Sequence, residues 1–263
     1  MNIMKRAKVK LFFEHLYTYY NNSAYIHTDP IYFPHSLEGN KEFIGFTAAL
    51  FAYGRVAAIK SLLTAFFGSC GTVPATLRSN PQNLKYRFQN EKDISVYCKI
   101  MQEIYLKEGC LENLFDGHKE PYEAARIAVE RIRSYTDALT GGLSFLFALP
   151  GNSASKRLMM FLRWMIRKDA VDFGLWKSFS ASSLSVPLDT HVTKLSIRLG
   201  IISEKEGGKK ALDKVNAFFR ELSPDDPVKY DFALTRLGIA EGCIYEGRGA
   251  CRNCAHRDLC VFN

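Results

Sequence analysis

Apolar residues recur at spacings of three and four along most of the chain, with glycines and prolines between the runs. This spacing puts one apolar stripe on each segment and is typical of amphipathic helices that pack into a globule. Strict alternation of apolar and polar residues, which indicates half-buried strands, is confined to short runs. The pattern predicts a mainly α fold, with helices over 5–20, 40–67, 84–107, 120–138, 153–168, 190–200, 206–222 and 227–241.

The composition indicates a folded protein with a polyanionic partner. Of the 263 residues, 47% are hydrophobic and 13% aromatic, which is enough apolar material for a packed core. The formal net charge of +8 favours nucleic acid first and an anionic membrane surface second. Glu14 and His15 interrupt the first apolar run, and Gly141 and Pro150 break the most apolar later stretch. We therefore expect a cytoplasmic protein without a secretory leader or a membrane span.

Four of the seven cysteines, Cys243, Cys251, Cys254 and Cys260, lie close together near the end of the sequence. In a reducing compartment such a group indicates metal or redox chemistry rather than disulfides. The C-x7-C-x2-C-x5-C spacing supplies enough thiolates for one tetrahedral zinc or one [4Fe–4S] cluster, and spacing alone leaves both open. His256 lies within the loop and is predicted at the surface or facing a phosphate.

Three segments, in one order along the chain, resemble segments of a known superfamily. LGIAEGCIYEGRGACRNCAHRDLC (237–260) resembles the cluster loop of endonuclease III-type DNA glycosylases, with one extra residue in the first cysteine interval. PLDTHVTKLSIRLG (187–200) and LPGNSASKRL (149–158) resemble two further segments of that helix-hairpin-helix/Gly-Pro-Asp superfamily. The segments SASKRLMMFLRWM, PLDTHV and DPVKYDFAL are also similar to an uncharacterised bacterial family grouped with the same superfamily.

The resemblance implies an endonuclease III-like fold of two helical domains with a helix-hairpin-helix motif and a C-terminal [4Fe–4S] loop. Residues 36–185 would form a six-helix domain, and residues 1–35 together with 186–263 would form the cluster domain. The implied protein is a monomeric glycosylase of base-excision repair, with or without AP-lyase activity, that acts on damaged or abasic double-stranded DNA. The cysteines would hold a [4Fe–4S] cluster, with zinc as the alternative.

The same resemblance implies that Lys156 and Asp189 are the catalytic residues. Cleavage of a glycosidic bond passes through an oxocarbenium-like transition state, which a carboxylate such as that of Asp189 stabilises. A lyase also needs an amine that attacks C1′ and forms a Schiff base, and Lys156 is the candidate. The residues themselves leave two alternatives open, a plain N-cap for Asp189 and a solvated helix position for Lys156.

DNA contacts and a base pocket complete the predicted site. The hairpin after residue 149 would bind a backbone phosphate through N–H groups at a helix start, and a basic stripe on the next helix would extend that surface. An ordinary cap and a solvated helix face fit the same residues. Tyr53 and Arg55 would line the base pocket, with core packing as the alternative for Tyr53. The predicted DNA contacts are Pro150, Gly151, Asn152, Ser153, Arg163, Arg167, Arg248, Arg252 and Arg257.

Two other functions fit these features. A nucleic-acid-binding or redox-sensing iron–sulfur protein would keep the cluster and the hairpin but lack catalysis. A zinc-stabilised helical binding module would use the four cysteines only to hold its fold together. Metal content and the effect of replacing Lys156 distinguish these functions from a glycosylase.

Overall fold

The regular secondary structure of the protein is helical. The computed structural model describes residues 3–115, 117, 119–137, 139–245, 251 and 254–262, and no strand forms among them. The mainly α prediction is confirmed. In this described part of the chain, every helix is too short or too polar to cross a bilayer. The α-helices are α1 (Ile3–Tyr20), α2 (Tyr32–Ser36), α3 (Lys41–Leu50), α4 (Val56–Cys70), α5 (Glu91–Glu108), α6 (Pro121–Arg133), α7 (Gly141–Leu146), α8 (Lys156–Ile166), α9 (Thr190–Arg198), α10 (Gly208–Leu222) and α11 (Asp231–Ala240).

Helix boundaries differ from the predicted ones where local backbone chemistry overrides the apolar pattern. The predicted helix over 40–67 is two helices, because the chain turns at Gly54, whose φ of +100° is accessible mainly to glycine. The predicted helix over 84–107 begins only at Glu91. Asn90 and Asp93 form a reciprocal capping box there, which satisfies two backbone N–H groups at the helix start.

The buried apolar side chains form one continuous cluster. In its centre α3 packs against α8 at Gly45, where a Cβ atom would lie 3.1 Å from the Met165 side chain. At the other side α1 packs against α11, and α11 packs against α9, so the first and last helices lie together. Each large apolar side chain buried in this way contributes about 1.5–3 kcal/mol to the free energy of folding. The division into two domains stays a prediction.

Candidate functional site

A cavity of about 660 Å³, called the main cavity below, lies where the α3–α4 connection, α8, the start of α9 and α11 meet. Its wall includes Tyr53, Lys156, Asp189 and Asp231. Three of these four residues are among those singled out in the sequence. The fold therefore gathers Lys156, Asp189 and Tyr53 around one space that is large enough for a small ligand.

Lys156 is the first residue of α8 and lines the main cavity with a half-buried side chain. The preceding residue, Ser155, has left-handed backbone angles (φ 47°, ψ 39°) and caps the helix with no side-chain hydrogen bond. Within the described part of the chain, the Lys156 ammonium group takes part in no salt bridge or hydrogen bond. It is therefore available to a ligand in the cavity.

Asp189 is the N-cap of α9 and also lines the main cavity. Its backbone is extended, and Oδ1 accepts a hydrogen bond of 2.8 Å from the Val192 N–H. An N-cap carboxylate satisfies an orphan helix donor and interacts favourably with the helix dipole. The cap that the sequence suggested is thus present. It occupies one carboxylate oxygen and does not remove the side chain from the cavity wall.

Behind these residues lies a buried network that begins with Arg163. Its guanidinium forms ion pairs with Asp172 (3.2 Å) and with Asp231, and all three side chains are at most 5% exposed. The sequence places Arg163 on an exposed basic stripe, and the exposed position is wrong, although the side chain does line the main cavity. Its contact with DNA stays a prediction. The side chain points inwards because two buried carboxylates from other segments bind it.

Arg167 is the second predicted DNA contact that the structure places in the interior. Its guanidinium donates to Asp172 (2.9 Å), to Asp226 (2.7 Å) and to Asp169, and only 5% of the side chain is exposed. Its exposed fraction leaves no surface for a phosphate. The predicted basic stripe on α8 is therefore, at Arg163 and Arg167, a set of structural ion pairs.

Asp231 is a buried carboxyl that lines the same cavity as the two predicted catalytic residues, Lys156 and Asp189. It is 4% exposed, lines the main cavity, and its Oδ1 has no hydrogen-bond partner among the described residues. Burial raises its pKa from 3.8 to about 7. The Arg163 guanidinium opposes this rise, and the Asp189 carboxylate adds to it. Near neutral pH this carboxyl thus exchanges a proton beside Lys156 and Asp189.

Tyr53 and Gly54 line the main cavity from the α3–α4 connection, whereas Arg55 is exposed at the N-cap of α4 and does not line it. The Tyr53 hydroxyl donates to Gln89, and Arg157 lies 5.3 Å from its ring centre. Burial raises the pKa of Tyr53. The predicted pocket residue Tyr53 is therefore on the wall, and Arg55 is on the outside.

The hairpin, residues 149–155, connects α7 to α8 and is anchored through its carbonyl groups. Tyr122 donates to the Gly151 carbonyl (2.8 Å) and to that of Ser153, and the Lys209 N–H donates to the Asn152 carbonyl (2.8 Å). Gly151, Asn152 and Ser153 are exposed, and Pro150 is buried. The N–H groups of those three exposed residues donate to no acceptor among the residues that the structure describes. They remain free for an anion from solvent.

The four cysteines of the C-terminal loop line one small pocket, called the thiol pocket below, together with Tyr245. Burial raises the pKa of the Cys243 thiol, and the three neighbouring cysteines raise it further. Among the described residues, no three His, Cys, Asp or Glu side chains are arranged to hold a metal ion. The fold has thus brought Cys243, Cys251, Cys254 and Cys260 to one place.

The other predicted residues of this loop divide into three groups. Arg248 and Arg252 lie outside the described residues, and Arg257 is exposed. His256 is only 2% exposed, which contradicts the prediction of a surface position. Its ring bonds to His15 Nε2 (2.9 Å) and to the Tyr20 hydroxyl (2.8 Å), so it packs the loop against α1.

No signal in the sequence marked three residues of the main cavity, Arg236, Asp29 and Thr28. Arg236, 2% exposed, bonds to Asp29 (3.0 Å) and to Thr28, and all three line the cavity. His191 packs so closely on α11 that a Cβ atom at Gly238 would overlap its ring. Arg236 and Asp29 lie within otherwise ordinary helix and turn sequences. They are recognisable as cavity residues only because they are buried together, and this depends on α11 packing near residue 29.

Comparison with known proteins places the chain in a family but assigns no activity. No curated protein and no solved structure matches it. A family model described as "Protein of unknown function (DUF2400)" matches residues 29–240, a range that contains Lys156, Asp189 and Asp231. Since this range is most of the sequence, the chain belongs to the DUF2400 family.

Proposed function

We propose that the protein is a DNA glycosylase of base-excision repair, with AP-lyase activity, and that it acts on damaged or abasic duplex DNA as a cytoplasmic monomer. The observation that carries the proposal is the joint position of Lys156 and Asp189. An unpaired amine at one helix start and a carboxylate at another line one cavity of about 660 Å³. This is the pair of groups that glycosidic-bond cleavage through a Schiff base requires.

In the proposed reaction the target nucleotide is displaced from the duplex into the main cavity. The neutral Lys156 amine attacks C1′ as the bond from C1′ to the base breaks, and the electron pair of that bond leaves with the base. The Asp189 carboxylate stabilises the positive charge that develops on the sugar. The lysine nitrogen then gives up a proton, the ring oxygen O4′ takes one up as the C1′–O4′ bond breaks, and the nitrogen lone pair forms the C1′=N bond of the Schiff base. A lyase step follows from this intermediate.

Two features outside the cavity support DNA as the substrate. The hairpin presents three exposed backbone N–H groups without protein acceptors, directly before Lys156, and such groups bind phosphate oxygens. The net charge of +8 favours association with a polyanion. A phosphate held at the hairpin would place the neighbouring nucleotide close to Lys156.

The finer fold that we propose is the endonuclease III-like one, with α7, the hairpin and α8 as the helix-hairpin-helix motif. The packing of α1 against α11 supports a cluster domain built from both ends of the sequence. Residues of the main cavity come from both proposed domains: Tyr53 and Lys156 from 36–185, and Asp189 and Asp231 from 186–263. The cavity would then be the cleft between the domains.

The cysteine ligands fit a [4Fe–4S] cluster, which Cys243, Cys251, Cys254 and Cys260 would hold. A cluster needs four thiolates, one on each iron, and the thiol pocket supplies four. The same four thiolates suffice for one tetrahedral zinc, with Zn–S bonds of about 2.3 Å, which stays the alternative. When bound, the cluster would cross-link the loop to α11 and supply no step of the reaction.

Borohydride trapping tests the proposal, because reduction makes a Schiff base between the protein and an abasic sugar permanent. Wild-type protein, Lys156→Ala and Asp189→Asn are incubated with a panel of damaged and abasic duplexes, and covalent complexes are separated by denaturing electrophoresis. Lys194→Ala is the matched control, since Lys194 also lines the main cavity but lies on α9. We expect trapping by the wild type and by Lys194→Ala, and none by Lys156→Ala.

Two outcomes would contradict the proposal. Trapping that persists in Lys156→Ala would assign the amine to another residue. Absence of trapping and of base release across the whole panel, with DNA binding retained, would instead support the non-catalytic nucleic-acid-binding protein. In that case Lys156→Ala would also leave the affinity for DNA unchanged.

A further inference from the structure

An aromatic surface beside the main cavity has a solvent-exposed face that the proposed reaction does not use. Its rings are Tyr53, Phe88 and Phe145, called the aromatic platform below. Phe88 and Phe145 are 4.5 Å apart between ring centres, and Phe88 lies nearly parallel to Tyr53, at 19° and 6.1 Å. Phe88 is 53% exposed, although a ring of this size is normally buried.

The segment that carries Phe88 is a tight turn with strained backbone. The N–H and carbonyl groups of Tyr86 and Gln89 bond to each other in both directions at 2.8 Å, which leaves Arg87 and Phe88 as the two central residues. Arg87 has a φ of 48°, at a turn position where glycine is the favoured residue. Strain of this kind persists where the surrounding structure enforces it, and it concentrates at functional sites.

The base of this turn is fixed, so the tip is held in place. Tyr86 is 7% exposed and donates to the Tyr53 carbonyl. Gln89 is 3% exposed, and its side chain bonds to the Tyr53 hydroxyl and to the Gly142 carbonyl (2.7 Å). Phe88 is therefore presented to solvent by a rigid support. A preorganised ring loses little entropy when a flat ligand stacks on it.

Two guanidinium groups accompany the rings. The Arg87 guanidinium lies 5.6 Å from the Phe88 ring centre, is exposed, and forms no ion pair with any described residue. Arg157 lies 4.8 Å from the Phe145 ring centre and donates to the Leu50 and Phe145 carbonyls at 2.6 and 2.7 Å. Burial lowers the pKa of Arg157 to about 10, so it stays protonated at neutral pH. These cations favour an anionic ligand over an apolar peptide.

From these observations we infer that the aromatic platform binds an unpaired nucleobase of a DNA strand by stacking on Phe88, with Arg87 contacting the adjoining phosphate. Exposed aromatic rings beside arginines are the arrangement that binds single-stranded bases without sequence preference. The platform shares Tyr53 with the main cavity, so this base would lie next to the nucleotide at Lys156. The inference rests on the part of the proposed function that makes DNA the partner, and not on the chemistry at Lys156.

Fluorescence of 2-aminopurine, which falls when this base stacks on an aromatic ring, tests the inference. The probe is placed in a single-stranded oligonucleotide, in a duplex opposite an abasic site, and in a fully paired duplex. We expect the wild-type protein to quench the probe in the first two. We expect Phe88→Ala to lose that quenching and to bind the single strand roughly tenfold more weakly, as loss of one stacked base predicts.

Two variants control for other effects of the substitution. Phe88→Trp keeps a stacking ring and should retain the quenching. Leu106→Ala removes a side chain that is 79% exposed on α5 and should change neither quenching nor affinity. Quenching and affinity unchanged in Phe88→Ala would overturn the inference.

The result also separates this inference from the proposed function. Schiff-base trapping with quenching independent of Phe88 would overturn the platform and leave the glycosylase. Quenching that depends on Phe88, with no cleavage or trapping on any duplex, would retain the platform and overturn the glycosylase. A wild-type protein that binds none of these DNAs would overturn both.

Discussion

Arg163 and Asp231 form a buried ion pair between α8 and the first turn of α11, at the wall of the cavity that Lys156 and Asp189 share. The same guanidinium also binds Asp172, so one cation serves two buried carboxyls. Because Arg163 is shared with Asp172, its attraction does not outweigh the cost of burying a charged Asp231, and the nearby Asp189 carboxylate adds to that cost. This explains why the pKa of Asp231 rises even though it is next to an arginine.

The raised pKa of Asp231 makes the stability of the protein depend on pH. Unfolded Asp231 loses its proton near pH 3.8, whereas the folded protein holds it up to about pH 7, so this group's contribution to stability falls as pH rises between them. Asparagine has no such dependence. Relative to wild type, Asp231→Asn should therefore gain roughly 2–3 kcal/mol in the free energy of unfolding between pH 5 and pH 8, measured with urea.

Asp169→Asn is the control, because folding lowers the pKa of Asp169, whereas it raises the pKa of Asp231. Burial opposes ionisation of Asp169, but Arg167 and the backbone N–H groups of Val171 and Asp172 outweigh it and lower the pKa below 3.8. The ionised Asp169 carboxylate therefore makes its full contribution to the free energy of unfolding at both pH 5 and pH 8. The offset of Asp169→Asn from wild type should be the same at the two values. An equally constant offset for Asp231→Asn would mean that Asp231 is ionised in the folded protein throughout.

Arg167 should be among the most sensitive charged positions for stability. Removing it leaves Asp169 and Asp226 without a guanidinium partner and leaves Asp172 with Arg163 alone. A buried pair broken on one side typically costs about 3–5 kcal/mol. Arg126, whose ion pairs with Glu123 and Glu130 lie at the surface, provides the comparison. We expect Arg126→Ala to cost far less than the Arg167 variant in chemical denaturation, because solvent screens both of its ion pairs. Similar costs for the two variants would argue against a structural network at Arg167.

The sequence predicted the helical class, the α9 cap at Asp189, and the gathering of the four cysteines, because each depends on residues close together in the chain. It also placed Lys156 and Asp189 in one site, through a resemblance rather than through local pattern. The exposed positions predicted for Arg163 and Arg167 were wrong. Helical periodicity locates a charged side chain on one face of a helix, but Asp172, Asp226 and Asp231 come from other segments, which periodicity cannot place.

Asp189 allows its cap and its proposed catalytic role to be separated. Asparagine caps a helix about as well as aspartate, so Asp189→Asn should keep the bond to the Val192 N–H and change stability by less than about 0.5 kcal/mol. Asp189→Ala should lose about 1 kcal/mol. Base release should fall strongly and equally in both variants, because both lack the carboxylate. If base release falls only in Asp189→Ala, Asp189 acts as a helix cap and not as a catalytic carboxylate.

The metal content of the protein follows from the thiol pocket. Protein purified without oxygen should be brown, with broad visible absorbance, and contain about four irons per chain. Cys254→Ser should lose the colour, whereas Cys110→Ser should keep it, because Cys110 lies outside the thiol pocket. A colourless protein that contains one zinc per chain would establish the zinc-stabilised module instead.

The hairpin should depend on Tyr122 for its affinity for DNA. The Tyr122 hydroxyl shares its hydrogen between the Gly151 and Ser153 carbonyls. It therefore fixes the peptide plane between Gly151 and Asn152, which carries the free Asn152 N–H. Tyr122→Phe removes both bonds without changing charge. We expect several-fold weaker binding of an abasic duplex, by about 1 kcal/mol, with the salt dependence unchanged because no phosphate loses a cationic partner.

Tyr135→Phe is the control, because it removes a hydroxyl near the other end of α6 that is bonded to Glu108, and it should leave the affinity for DNA unaltered. Equal affinities for the two variants would mean that the hairpin carries no phosphate, and that DNA is bound elsewhere.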